Sequence, residues 1–103
     1  MTEQKNNVTV IMAFSTDQEL NRLTVPQRVV LVNQLTDLTA DGVTTTEHLG
    51  GYRMKDGTNA VEYSYMFEMF GLDQTTADKV RAFFETLKEL HNQESILYNG
   101  NFI

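Results

Sequence analysis

The stretch Val61-Glu62-Tyr63-Ser64-Tyr65-Met66-Phe67-Glu68-Met69-Phe70 alternates apolar and mixed positions with a period of two. Val61, Tyr63, Tyr65, Phe67 and Met69 fall on one side and Glu62, Ser64, Met66, Glu68 and Phe70 on the other, as a strand with one face on a core requires. Aromatic and β-branched residues fit such a pleated, half-buried surface. Upstream, Lys55-Asp56-Gly57-Thr58-Asn59 has turn chemistry, and Val43, Thr45, Glu47 and Leu49 repeat the period of two. The two runs read as a hairpin, with Gly50-Gly51 expected to interrupt the earlier strand as a bulge or bend.

Working outward, Val8 to Phe14 is apolar on both faces, which predicts a central strand. Ser15, Thr16 and Asp17 offer N-cap oxygens for a short helical turn anchored by Leu20 and Leu23. Thr24-Val-Pro-Gln27 is a capping-box pattern with proline in the first turn. A helix is expected from there to Asp41-Gly42, with Val25, Val29, Val32, Leu35 and Leu38 on its apolar face.

Downstream of Gly71, Asp73, Thr75 or Thr76 can cap a second helix whose face is Ala77, Val80, Phe84, Leu87 and His91. Residues 94–103 return to a strand-like pattern. The predicted order is βαββαβ, an α+β fold of ferredoxin-like type: a four-stranded antiparallel sheet with two helices on one face and the first and third strands central.

At 103 residues, 41% hydrophobic and 21% charged, the chain fits a single domain, 1–103, with residues 1–7 as a flexible tail. It has no cysteine, which excludes disulfides, thiolate metal sites and cysteine nucleophiles. The first residues lack the basic and apolar segments of a signal peptide, and no apolar run approaches a membrane span. A cytoplasmic protein with no membrane partner is expected.

Eight Lys and Arg against 14 Asp and Glu give a net charge of −6, unsuited to a phosphate backbone. The expected open sheet face opposes nucleic-acid binding too, since it presents Glu62 and Glu68 without stacking aromatics on the central strands. No metal or cofactor site is expected: the two histidines, His48 and His91, lie in different elements. Glu47 and His48 are adjacent on a strand and point to opposite faces. His48 with Tyr52, Tyr63 or Tyr65 could move protons, although Tyr63 and Tyr65 fall on the core stripe. No phosphate loop or nucleophile elbow is present.

What remains is surface. Ile11, Glu62, Ser64, Met66 and Glu68 form a mixed open face that calls for a cover, either another copy as a homodimer or a protein partner. The expectation is therefore a non-catalytic protein-interaction module, such as a small acidic accessory or inhibitor protein of the type phages encode. The alternative is a dimeric α/β-barrel enzyme or small-ligand-binding protein with a pocket near His48 and Tyr52.

Overall fold

Strand β1 (Asn6–Ala13) leads through helix α1 (Val25–Thr39) to the hairpin of β2 (Thr44–Arg53) and β3 (Asn59–Leu72), then helix α2 (Gln74–Leu90) and the short strands β4 (Leu97–Tyr98) and β5 (Asn101–Phe102). The computed structural model describes residues 5–14 and 22–103. The turn expected at Ser15, Thr16 and Asp17 with Leu20 lies outside them.

The sheet is antiparallel in the order β2-β3-β1-β4-β5, so β1 and β3 are interior strands as expected. Five strands stand where four were expected. The last strand is split because Asn99 (φ 49°) and Gly100 (φ 82°) both take positive φ, the requirement of a two-residue hairpin turn, which folds β5 back on β4. Strand β1 begins at Asn6, so Asn6 and Asn7, assigned by the sequence to a tail, belong to the sheet.

Two further expectations are corrected. Gly50 and Gly51 do not bulge: β2 and β3 pair without a slip from Thr44↔Glu68 to Arg53↔Asn59. The irregularity lies between Asn6 and Val8, where β1 meets the end of β3. The apolar face of α1 is as expected at Leu35 and Leu38 but not at Val25 and Val29. Leu35 is fully buried, with Leu31 and Leu38 packed beside it, whereas Val25 and Val29 remain 62% and 50% exposed. The segment is apolar on two sides, and periodicity alone cannot say which side meets the sheet.

The core unites Val8, Val10 and Met12 of β1 with Tyr65, Phe67 and Met69 of β3, closed by Leu35 from α1 and Ala77, Val80, Phe84 and Leu87 from α2. Both helices thus cover one face of the sheet. Phe67 and Phe84 meet with ring centroids 5.3 Å apart, within the favourable range for tilted aromatic pairs. The helix starts follow the sequence: Thr24 Oγ1 accepts from Gln27 N–H while Gln27 Oε1 accepts from Thr24 N–H, and Asp73 Oδ1 accepts from Thr76 N–H at 2.7 Å. No helix among the described residues is long and apolar enough to cross a membrane.

Candidate functional site

Strand register decides which side chains can act together, because directly opposite residues share a face. On the helix-covered face Glu47 stands opposite Tyr65. The buried Tyr65 hydroxyl donates to Glu47 Oε2 at 2.9 Å and accepts the Leu23 N–H at 2.7 Å. Arg22 grips the same carboxylate, Nη2 to Oε1 at 2.6 Å and Nε to Oε2 at 3.3 Å, and lies 5.0 Å from the centre of the Tyr63 ring.

The Arg22 guanidinium, joined by the Tyr65 hydroxyl, holds the Glu47 carboxyl below its usual range. Burial first, and then Glu47, push the Tyr65 phenol up. This cluster ties the entry of α1 to the sheet. Every strong contact in it is spent within the chain, so it reads as a latch. It also removes Tyr65 and Tyr63 from any partnership with His48, which faces the other way.

The open face carries the residues the sequence singled out. Ile11 is opposite Met66 on one side and Leu97 on the other, Glu68 stands between Thr9 and Thr44, and Ser64 between Ala13 and His48. Thr46 Oγ1 and His48 Nε2 are 3.0 Å apart on this face. Glu62 is opposite Gly50, whose missing side chain leaves open space where a Cβ would stand. Tyr52 pairs through its backbone with Ala60 at the far end of the hairpin.

Small residues flank Glu62 on this face, with Gly50 across from it and Ser64 two residues on. Burial pushes the Glu62 carboxyl above its usual range, the opposite direction from Glu47. A half-buried carboxylate short of solvation attracts a cation or holds a proton. His48, Thr46 and Ser64 supply hydrogen-bonding groups on the same face.

Two hollows lie elsewhere, on the helix side. One of about 240 Å³ is lined by Phe14, Leu23, Gln27, Val30, Leu31 and His91; the other, about 230 Å³, by Val25, Arg28, Val29, Val32 and Thr45. His91, expected on the inner face of the second helix, is the C-cap of α2 and stands edge-on to Phe14 at 4.9 Å. Among the described residues no three His, Asp or Glu side chains converge as metal ligands would.

No protein-family model matches the chain, and no curated protein matches it in sequence. Two solved structures share its fold. A phage SAM lyase in complex with S-methyl-5'-thioadenosine superposes with a TM-score of 0.66 at 16% identity, over 95% of this chain and 84% of that one. A phage SAM lyase in the apo state gives 0.64 at 17%, over 100% and 90%. This likeness to an enzyme across nearly the whole length overturns the expectation of a non-catalytic interaction module. The polypeptide shares its α+β fold with a phage SAM lyase.

Proposed function

We propose that the protein is a lyase acting on S-adenosylmethionine or a closely related sulfonium nucleoside, on the open face around Glu62, with the space above Gly50 as the recess that takes the ligand. The finer fold assignment is part of the proposal: a ferredoxin-like βαββαβ unit extended by β5. The likeness to two phage SAM lyase structures along nearly the full length of both partners carries the proposal, and the chemistry of the open face supports it.

S-adenosylmethionine carries a sulfonium and an ammonium charge. A chain of net charge −6 draws such a cation toward it, and the poorly solvated Glu62 carboxylate offers it a counter-charge. Gly50 leaves room for the ligand to lie against bare β2 backbone. His48, Thr46 and Ser64 are placed to bond its polar groups.

A lyase breaks the bond without adding water. The carbon–sulfur bond of the amino-acid side cleaves and its electron pair goes to sulfur, which leaves as a neutral thioether. The four-carbon fragment then loses a proton or closes on its own carboxylate. Proton loss needs a base, and Glu62, with its raised proton affinity, is the group this face supplies. Because the sulfonium charge and a carboxylate charge are neutralised together in the reaction, a site that solvates charge poorly favours the transition state over the bound ion pair.

The test is incubation of the purified protein with S-adenosylmethionine and detection of S-methyl-5'-thioadenosine by mass spectrometry. Product above the buffer rate, lost in Glu62→Gln, supports the proposal. Equal product in wild type and Glu62→Gln would move the chemistry away from this recess.

A further inference from the structure

Among the described residues of the five strands, the side chains able to carry positive charge are His48 and Arg53. Arg53 lies an odd number of residues from His48 and therefore takes the opposite face, where its Nε donates to Asn59 Oδ1 at 2.9 Å. Glu62 and Glu68 make the open face acidic, so His48 is the group of these strands that can answer an anion there.

Register fixes where that group stands. His48 is directly opposite Ser64, and Glu62 is directly opposite Gly50. His48 is thus the diagonal neighbour of Glu62, a separation of about 7–8 Å in antiparallel pairs. Thr46 Oγ1 stands 3.0 Å from His48 Nε2. A Thr46 hydroxyl that donates to Nε2 puts the hydrogen of the neutral ring on Nδ1, which leaves a donor free. His48 Nδ1 and the Ser64 hydroxyl, one strand spacing apart, then form a pair of donors for a single anion.

We propose that His48, positioned by Thr46 and joined by Ser64, binds the carboxylate of the substrate's amino-acid arm. This role rests on the sulfonium-nucleoside chemistry proposed for Glu62, and it gives the ligand a direction on the sheet. Three carbons separate the sulfonium from the carboxylate, so a sulfonium held by Glu62 over Gly50 brings the carboxylate within reach of a diagonal neighbour. The arm runs along β2 toward Thr46, and the nucleoside lies on the other side of Gly50. The carboxylate is kept apart from the Glu62 charge. A ligand without the carboxylate gains nothing from His48, and specificity for the complete arm follows.

S-adenosylhomocysteine and S-methyl-5'-thioadenosine serve as probes, since both are thioethers without the reactive sulfonium. The first keeps the amino-acid arm, and the second has a methyl group in its place. Calorimetry is expected to show His48→Ala weakening S-adenosylhomocysteine about 10- to 100-fold, the loss of a bond to a charged group, with Thr46→Val weakening it by less. Affinity for S-methyl-5'-thioadenosine is expected to change less than about twofold in both variants. His48 and Thr46 are exposed, so unchanged circular dichroism spectra are expected as well. Should the wild type bind S-methyl-5'-thioadenosine while His48→Ala weakens both probes equally, or leaves S-adenosylhomocysteine unaffected, the carboxylate assignment is overturned and the chemistry at Glu62 stands. A wild type that binds neither probe and cleaves no S-adenosylmethionine overturns both.

Discussion

Replacing Tyr65 with phenylalanine tests the latch that joins α1 to the sheet. The ring is fully buried and stays filled in the variant, so packing is conserved and only the hydroxyl is lost. Two bonds go with it, the 2.7 Å bond from the Leu23 N–H and the 2.9 Å bond to Glu47. Leaving a part-buried backbone donor without its acceptor costs about 1–3 kcal/mol, and the bond to an ionised carboxylate belongs at the upper end of ordinary values.

A loss of about 2 kcal/mol is expected. For a chain of 103 residues, an unfolding entropy of about 2.1 cal/mol/K per residue converts this to a fall in Tm of about 9 °C. Thermal melts followed by circular dichroism give the Tm, and urea titration gives the m-value, which stays at its wild-type level if the denatured state is untouched. Hydrogen exchange at the Leu23 amide should accelerate in parallel. A fall of less than about 2 °C, with Leu23 still protected, would refute the assignment of Tyr65 as an anchor and leave Arg22 to hold α1 alone.

Gly50→Val is expected to preserve or slightly raise stability, because a Cβ meets nothing within 4 Å there and valine favours strands; it should nevertheless lower turnover of S-adenosylmethionine by filling the recess opposite Glu62, read as a raised KM. The acidic groups make opposite contributions with pH. Glu47 and Asp73 are held below the ordinary carboxylate range by Arg22 and by the Thr76 N–H respectively, so their stabilisation is complete above that range and is lost as pH falls through their folded values. Glu62, raised by burial, costs stability once the pH passes above its unfolded value. Glu62→Gln should therefore raise Tm near pH 7, with the gain vanishing by about pH 3, where the wild-type carboxyl is neutral in both states.

Much of the architecture is legible because its segments are strongly periodic. The alternation from Val61 to Met69 places Tyr65, Phe67 and Met69 in the core, and the spacing of Ala77, Val80, Phe84 and Leu87 identifies the inner face of α2. The capping box at Thr24 and the cap at Asp73 mark helix starts through short-range hydrogen bonds that any sequence carries on its face. Helix α1 is the instructive exception. Val25 and Val29 are as hydrophobic as Leu31, so only tertiary packing selects Leu31 to join Leu35 and Leu38 against the core.

The split of the last strand was within reach, since Asn99-Gly100 is the strongest short hairpin signal in the chain. The slip between Asn6 and Val8 has no local signal. At the site, alternation puts Glu62, Ser64 and Met66 on the open face and His48 with them once the hairpin register is known. The open space beside Glu62 depends on which residue faces it. That residue is Gly50, and a glycine pair in a strand reads equally well as a bulge or as space left for a ligand.

The reaction proposed for the open face around Glu62 is cleavage of a sulfonium nucleoside. Mass-spectrometric detection of S-methyl-5'-thioadenosine from S-adenosylmethionine, with wild type and Glu62→Gln run in parallel, tests it most directly. Product is expected from the wild type and none above background from the variant, whose melting temperature is at least as high. A folded wild-type protein that releases no product and shows no S-adenosylmethionine binding by calorimetry would contradict it.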